Sequence, residues 1–126
     1  MINLSVPVYI QVHANKIVIQ RLDNMKSMER VSETPFSNER LIVADYEIAT
    51  NLMQQMLKAL FSDRMFFIPS PSLDICIQQI SNFEGPITPF ESRMLLDIAE
   101  RCGGDNVVVE ESQTELEPEL AKKLLD

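Results

Sequence analysis

Val6, Val8, Ile10 and Val12 alternate with Pro7, Tyr9 and Gln11, the period of a strand with one apolar face. The turn-like stretch His13 to Lys16 separates it from a second run, Ile17 to Leu22, and so short a link predicts an antiparallel hairpin. After a polar break from Asp23 to Ser27, Met28 to Ser32 reads as a third strand, and Thr34, Pro35, Ser37 and Asn38 mark a loop. The period then changes. Leu41, Ile42 and Val43 read as a short buried strand, and Asp45 can cap the orphan N–H groups of a helix that starts near Tyr46. Glu47 suits the positive end of that helix. Ile48, Ala49, Leu52, Met53, Met56, Leu57, Leu60 and Phe61 fall in pairs four apart, a stripe wide enough to cover a sheet, and Ser62 to Arg64 ends it.

Met65 to Ile68 reads as an apolar connector closed by a turn at Pro69 to Pro71, and Ser72 to Gln79 as a strand with Leu73, Ile75 and Ile77 on one face. A loop from Ile80 to Ile87 follows, with a turn at Gly85 and Pro86. Thr88, Pro89 and Glu91 form a capping box with proline at the first helical position. Phe90, Met94, Leu95, Ile98, Ala99 and Cys102 are the expected apolar face of that second helix. Gly103 and Gly104 stop it, and Val107 to Val109 form another buried strand. The tail is acidic and closes in a short amphipathic helix with Leu116, Leu120, Leu124 and Leu125 on one face. The order (hairpin, third strand, helix, strand, helix, strand, helix) predicts one α/β domain, a ribonuclease-H-like three-layer arrangement with a mixed five-stranded sheet and flanking helices. The domain body is expected over residues 1–111, with residues 112–126 a helical tail packed on it.

With 126 residues the chain is long enough for a sizeable core without a metal or disulfide. Its net charge of −8, with scattered basic residues, argues against nucleic acid or an anionic membrane as partner. Two cysteines in apolar contexts are expected as buried hydrophobes in a reducing cytoplasm, and no apolar run is long enough for a transmembrane segment. The start of the chain lacks the pattern of a signal peptide, so a cytoplasmic protein is expected. Most of the seven methionines fall on core stripes and read as filling.

The segments Ile42 to Leu57, Pro69 to Ile77 and Ile87 to Glu111 resemble, in order and spacing, the first subdomain of the bacterial actin family, most closely its MreB-type rod-shape members. The resemblance covers roughly residues 7–111 and implies the actin-like fold. It also implies a phosphate-binding loop after the first strand, with an Asp, a Gly and a Thr. The matching positions hold Gln11, His13 and Ala14. Without the Asp there is no charge to order Mg²⁺, and an imidazole replaces the glycine that lets backbone approach phosphate. The likeness stops after one subdomain, whereas the family encloses nucleotide between two lobes. The family's acidic pair falls on Glu110 and Glu111, but Ser112 stands where it has proline, and the loop between Cys76 and Thr88 is longer.

Other chemistry finds little footing. A two-metal nuclease needs converging carboxylates, one on the first strand, and that position is Gln11, which leaves Asp74 without a partner. His13, the single histidine, has no ligand-spaced companions, and three glycines cannot build a phosphate cradle. The expectation is therefore a non-catalytic, nucleotide-free actin-like interaction module with no cofactor, no metal and no catalytic residues. It would act through a protein partner or self-association, a homodimer included, in cell shape or the bacterial cytoskeleton. Leu116, Leu120 and Leu124 are the candidate partner-binding residues. The alternative is a small-ligand or nucleotide-responsive regulatory domain completed by a partner chain.

Overall fold

A computed structural model describes residues 5–62, 72–82 and 85–126. Strand β1 (Val6–His13) turns through Ala14 and Asn15 into β2 (Lys16–Arg21), which pairs with β3 (Ser27–Val31). Helix α1 (Tyr46–Leu60) leads to β4 (Leu73–Gln79), then α2 (Pro89–Arg101), β5 (Gly104–Glu110) and α3 (Pro118–Leu124). The sheet order is β3-β2-β1-β4-β5, with β1, β4 and β5 parallel and β2 antiparallel to both its neighbours. This is the mixed five-stranded α/β sheet that the order of elements predicts. The connector Met65 to Ile68 and the turn at Pro69 to Pro71 lie outside the described residues.

Register decides which side each residue faces. Val8, Ile10 and Val12 stand beside Ile75, Ile77 and Gln79 of β4, and across the hairpin Ile10 and Val12 meet Ile19 and Ile17. This face packs on Ala49, Met53, Met56 and Leu57 of α1 and on Leu95, Ile98 and Ala99 of α2, forming the main core. The alternate residues Tyr9 and Gln11 stand beside Cys76 and Gln78 on the second face. That face is also covered, so β1 is buried on both sides.

The helix ends follow their chemistry. Asp45 accepts from the Ile48 N–H at 3.1 Å, and Thr88 and Glu91 cap α2 reciprocally, each side chain accepting from the other's backbone N–H. Gly103 takes φ +100°, open to glycine without cost, and ends α2.

Three expectations change. Leu41 to Val43 is not a strand. Asn38 N–H donates to Leu41 O, the Asn38 side chain takes the Arg40 and Leu41 N–H groups, and Ala44 and Asp45 donate to Phe36 O. The backbone is thus satisfied locally, and Val43, with Phe36 from the preceding loop, is buried in the core while Ile42 packs at its margin. Phe90 is 62% exposed, because at about 100° per residue it falls roughly 130° from the centre of the stripe that Leu95, Ile98 and Ala99 define. Val107 to Val109 do form a strand, but β5 is an edge of the sheet, so they are only half-buried.

Gly104 is packed more tightly than its role as a stop requires. A Cβ there would lie 2.8 Å from Val107 Cγ2 and 3.0 Å from the Ala99 carbonyl oxygen. Gly104→Ala should lower the unfolding free energy in urea by about 1–3 kcal/mol, as overpacking does. An unchanged midpoint and slope would show that the α2–β5 turn yields freely.

Candidate functional site

In an open α/β sheet a ligand site forms beyond the carboxyl ends of the parallel strands. These ends are His13, Gln79 and Glu110. The chain itself runs across them. After Glu110 it turns back as a strap, residues 111–117, and then runs down the second face of the sheet into α3. Ile87 N–H donates to Glu111 O at 2.9 Å and Ser81 N–H to Gln113 O at 3.3 Å. Gln113 is buried, and its Oε1 accepts from Gln79 Nε2 and the Ser81 hydroxyl while its Nε2 donates to Gly85 O.

The buried polar residues of the second face, Tyr9, Gln11 and Gln78, are matched by the strap. Gln78 Nε2 donates to Ser112 O at 2.9 Å and Thr114 O at 2.7 Å, and its Oε1 accepts from the Tyr9 hydroxyl. That hydroxyl accepts in turn from Leu116 N–H at 3.0 Å. Gln11 Nε2 donates to Glu115 Oε1 at 2.9 Å. Below this network Tyr9, Leu22, Cys76, Ala121 and Leu125 form a small apolar cluster that seats α3.

The three positions that match a phosphate loop are placed together, and the side chains of two of them, Gln11 and His13, are engaged within the fold. His13 Nε2 lies 2.8 Å from Gln11 Oε1. Burial, reinforced by the Lys16 charge, holds the His13 pKa below its ordinary 6.5, so the ring is neutral near pH 7 and donates this hydrogen bond. Ala14 is exposed at the hairpin turn. Its neighbour Asn15, at φ +54°, ties the turn to the following loop: Asn15 N–H donates to Ser37 Oγ, and Asn15 Oδ1 accepts from the N–H groups of Phe36 and Ser37. The sequence reading missed Asn15. A short polar residue at the left-handed position of a tight hairpin was the available signal. Gln113 and Glu115, which reach back across the sheet, carry no such signal.

Around the α2 N-terminus, burial acts to raise the Glu91 pKa. Hydrogen bonds from the Thr88 N–H, the Gln79 amide and the Thr88 hydroxyl outweigh it and keep the carboxyl below its usual 4.5. The negative charge is therefore already in place where a helix N-terminus would attract an anion. Among the described residues no cluster of three His, Cys, Asp or Glu could hold a metal ion.

Leu116, Leu120 and Leu124 do not act as one stripe. Leu116 packs against the second-face cluster, whereas Leu120 and Leu124 are 47% and 37% exposed. Ala121 and Leu125 define the seated side of α3, and Leu120 falls about 120° from its centre at 100° per residue.

No family model matches the chain. It is 26% identical over 92 residues to the uncharacterized protein YjaA of Escherichia coli K12, a stretch that is 71% of each chain. Among solved structures it is similar to MreB5 of Spiroplasma citri bound to ADP, with a TM-score of 0.61 and 12% identity over 85% of this chain. It is also similar to the ethanolamine utilization protein EutJ of Carboxydothermus hydrogenoformans, with a TM-score of 0.56 and 11% identity over 82% of this chain. The fold is that of an actin-like subdomain of the MreB type. The chain spans 38% and 35% of the lengths of those two proteins. No helix among its described residues is long and apolar enough to cross a membrane.

The buried network predicts an alkaline limit to stability. Burial pushes Tyr9 from its ordinary 10.0 up to about 12, and burial likewise pushes Cys76 and Cys102 from 9.0 up to about 12. These acids stay protonated in the fold at pH values where the unfolded chain has released their protons. Stability is therefore fully present below pH 9 and falls as pH rises from 9 through 12. Tyr9→Phe should remove the part of the decline that begins near pH 10 and, by leaving Leu116 N–H unpaired, cost about 1–3 kcal/mol at pH 7. Urea midpoints across this pH range measure both effects.

Proposed function

We propose that the chain is a non-catalytic actin-like interaction module that acts without bound nucleotide, through contact with a protein partner or with itself. The observation that carries this reading is the engagement of the phosphate-loop positions within the fold: His13 bonds Gln11, Gln11 donates to Glu115, and the neighbouring Asn15 N–H donates to Ser37. These are groups that a phosphate site would leave facing the ligand. Glu91 at the start of α2 and the strap over the strand ends point the same way. Contact surfaces are available in the unpaired outer edge of β3 and in exposed Leu120 and Leu124 on α3. The likeness to an MreB protein supports a role beside the cytoskeleton in cell shape, in the cytoplasm.

A second reading draws on the neighbour that binds ADP. This chain spans only part of such proteins, so a nucleotide-responsive domain completed by a lobe from another chain is the alternative.

The experiment is titration calorimetry of the purified chain with Mg-ATP, paired with light scattering over a concentration series with and without it. The expected outcome is no binding heat and a mass that ATP leaves unchanged. Stoichiometric binding would end the nucleotide-free reading. Thermal stabilisation by ATP only when a partner chain is added would favour the alternative, since a ligand bound to the folded state alone raises its melting temperature.

A further inference from the structure

Residues 111–126 cover the second face of the sheet in a manner unlike the rest of the fold. α1 and α2 are held by the large apolar core, whereas this segment buries only Ala121, Leu125 and part of Leu116 in the small cluster around Tyr9, Leu22 and Cys76. Its other attachments are hydrogen bonds, with Gln78, Tyr9, Gln11 and Gln79 on the sheet and between Ser81, Gly85 and Ile87 and its own Gln113 and Glu111. Each such bond has a small net worth, because water replaces it on opening. The segment also carries five acidic residues against two basic ones on a chain of net charge −8. It is a unit held by few apolar contacts.

Its point of departure is equally specific. β5 is an edge strand, and the chain reverses at Glu111 and Ser112, both exposed. There Ser112 is braced by the Glu110 carboxylate at 3.3 to 3.5 Å. Straightening this turn would carry the segment off the end of the sheet without crossing another strand.

The sheet edges, by contrast, resist self-pairing. The bonds from Arg21 N–H to Lys26 O and from Ser32 N–H to Asn15 O aim the even-numbered residues of β3 at β2, so Ser27, Glu29 and Val31 face outward. A twofold antiparallel pairing of two β3 edges then sets Glu29 against Glu29, or Arg30 against Arg30, or Lys26 against Arg30. Pairing two β5 edges about Val108 sets Asp105 against Glu111. Like charges directly opposed destabilise such pairs.

We propose that the chain dimerises by exchange of residues 111–126, each copy laying its strap and α3 on the second sheet face of the other, with Glu110 to Ser112 as the hinge. The proposal rests on the self-association reading above. The occupant is a second copy because the face is already matched to this segment: Gln78 to the Ser112 and Thr114 carbonyls, Gln11 to Glu115, the Tyr9 hydroxyl to Leu116 N–H, and the Cys76 cluster to Ala121 and Leu125. Every one of these contacts is remade between chains, so exchange costs little beyond association.

Cys76 and Ala121 share one buried cluster, which supplies the test. The full chain carrying Ala121→Cys and Cys102→Ser is equilibrated at high concentration, oxidised, and read by light scattering and non-reducing electrophoresis. The expected result is a dimeric mass with the Cys76 disulfide joining two chains. A dimer whose disulfides all lie within single chains would overturn the exchange and leave self-association standing through another surface. A monomer with an internal disulfide would overturn both. A monomeric mass at high concentration would overturn the exchange whether or not a disulfide forms.

Discussion

Tyr9, Gln11 and Gln78 sit on the second face of the two central strands, and none of them can be left there without hydrogen-bond partners. Helices on the first face cannot reach them. The strap after β5 supplies those partners through its own backbone and through Glu115, and described buried side-chain polar atoms are all paired. The fold therefore depends on the last residues of the chain turning back over its first and fourth strands. Were the segment merely an appended tail, a tyrosine and two glutamines would face solvent or apolar surface in the middle of the sheet.

This constraint bears directly on function. An open α/β sheet ordinarily leaves room beyond the ends of its parallel strands, and the strand order here creates that room. The chain fills it with its own groups. Gln113 is buried between the end of β4 and the loop before α2, and the hairpin after β1 is tied to Ser37 through Asn15. The likeness in fold to MreB5 and EutJ, at 12% and 11% identity, speaks to the scaffold alone.

Two helices with similar apolar patterns meet different fates. α1 has a stripe eight residues strong and a sheet face waiting for it, and its burial follows the stripe. α3 spans only Pro118–Leu124 and is seated by Ala121 and Leu125, the residues that its entry through the strap turns toward Cys76. Leucine spacing alone favoured Leu116, Leu120 and Leu124. The route of the preceding backbone set the rotation of the helix, and that route is fixed by glutamines more than 30 residues away.

The sequence by itself determined the elements whose signals are local: the alternation in β1, the hairpin, the four-residue period of α1, the capping box of α2 and the glycine that ends it. These are short-range preferences of backbone and side chain, and each is legible within a few residues. The place of Gln11 and His13 at the end of the first strand was also legible. Only the tertiary structure decided that Leu41 to Val43 form no strand, that Phe90 is exposed, and that Gln113 and Glu115 occupy the strand ends. The reason is the same in each case. Whether a backbone joins a ladder, or a polar side chain finds a partner, depends on groups brought together by the fold from distant positions, and no local pattern encodes that meeting.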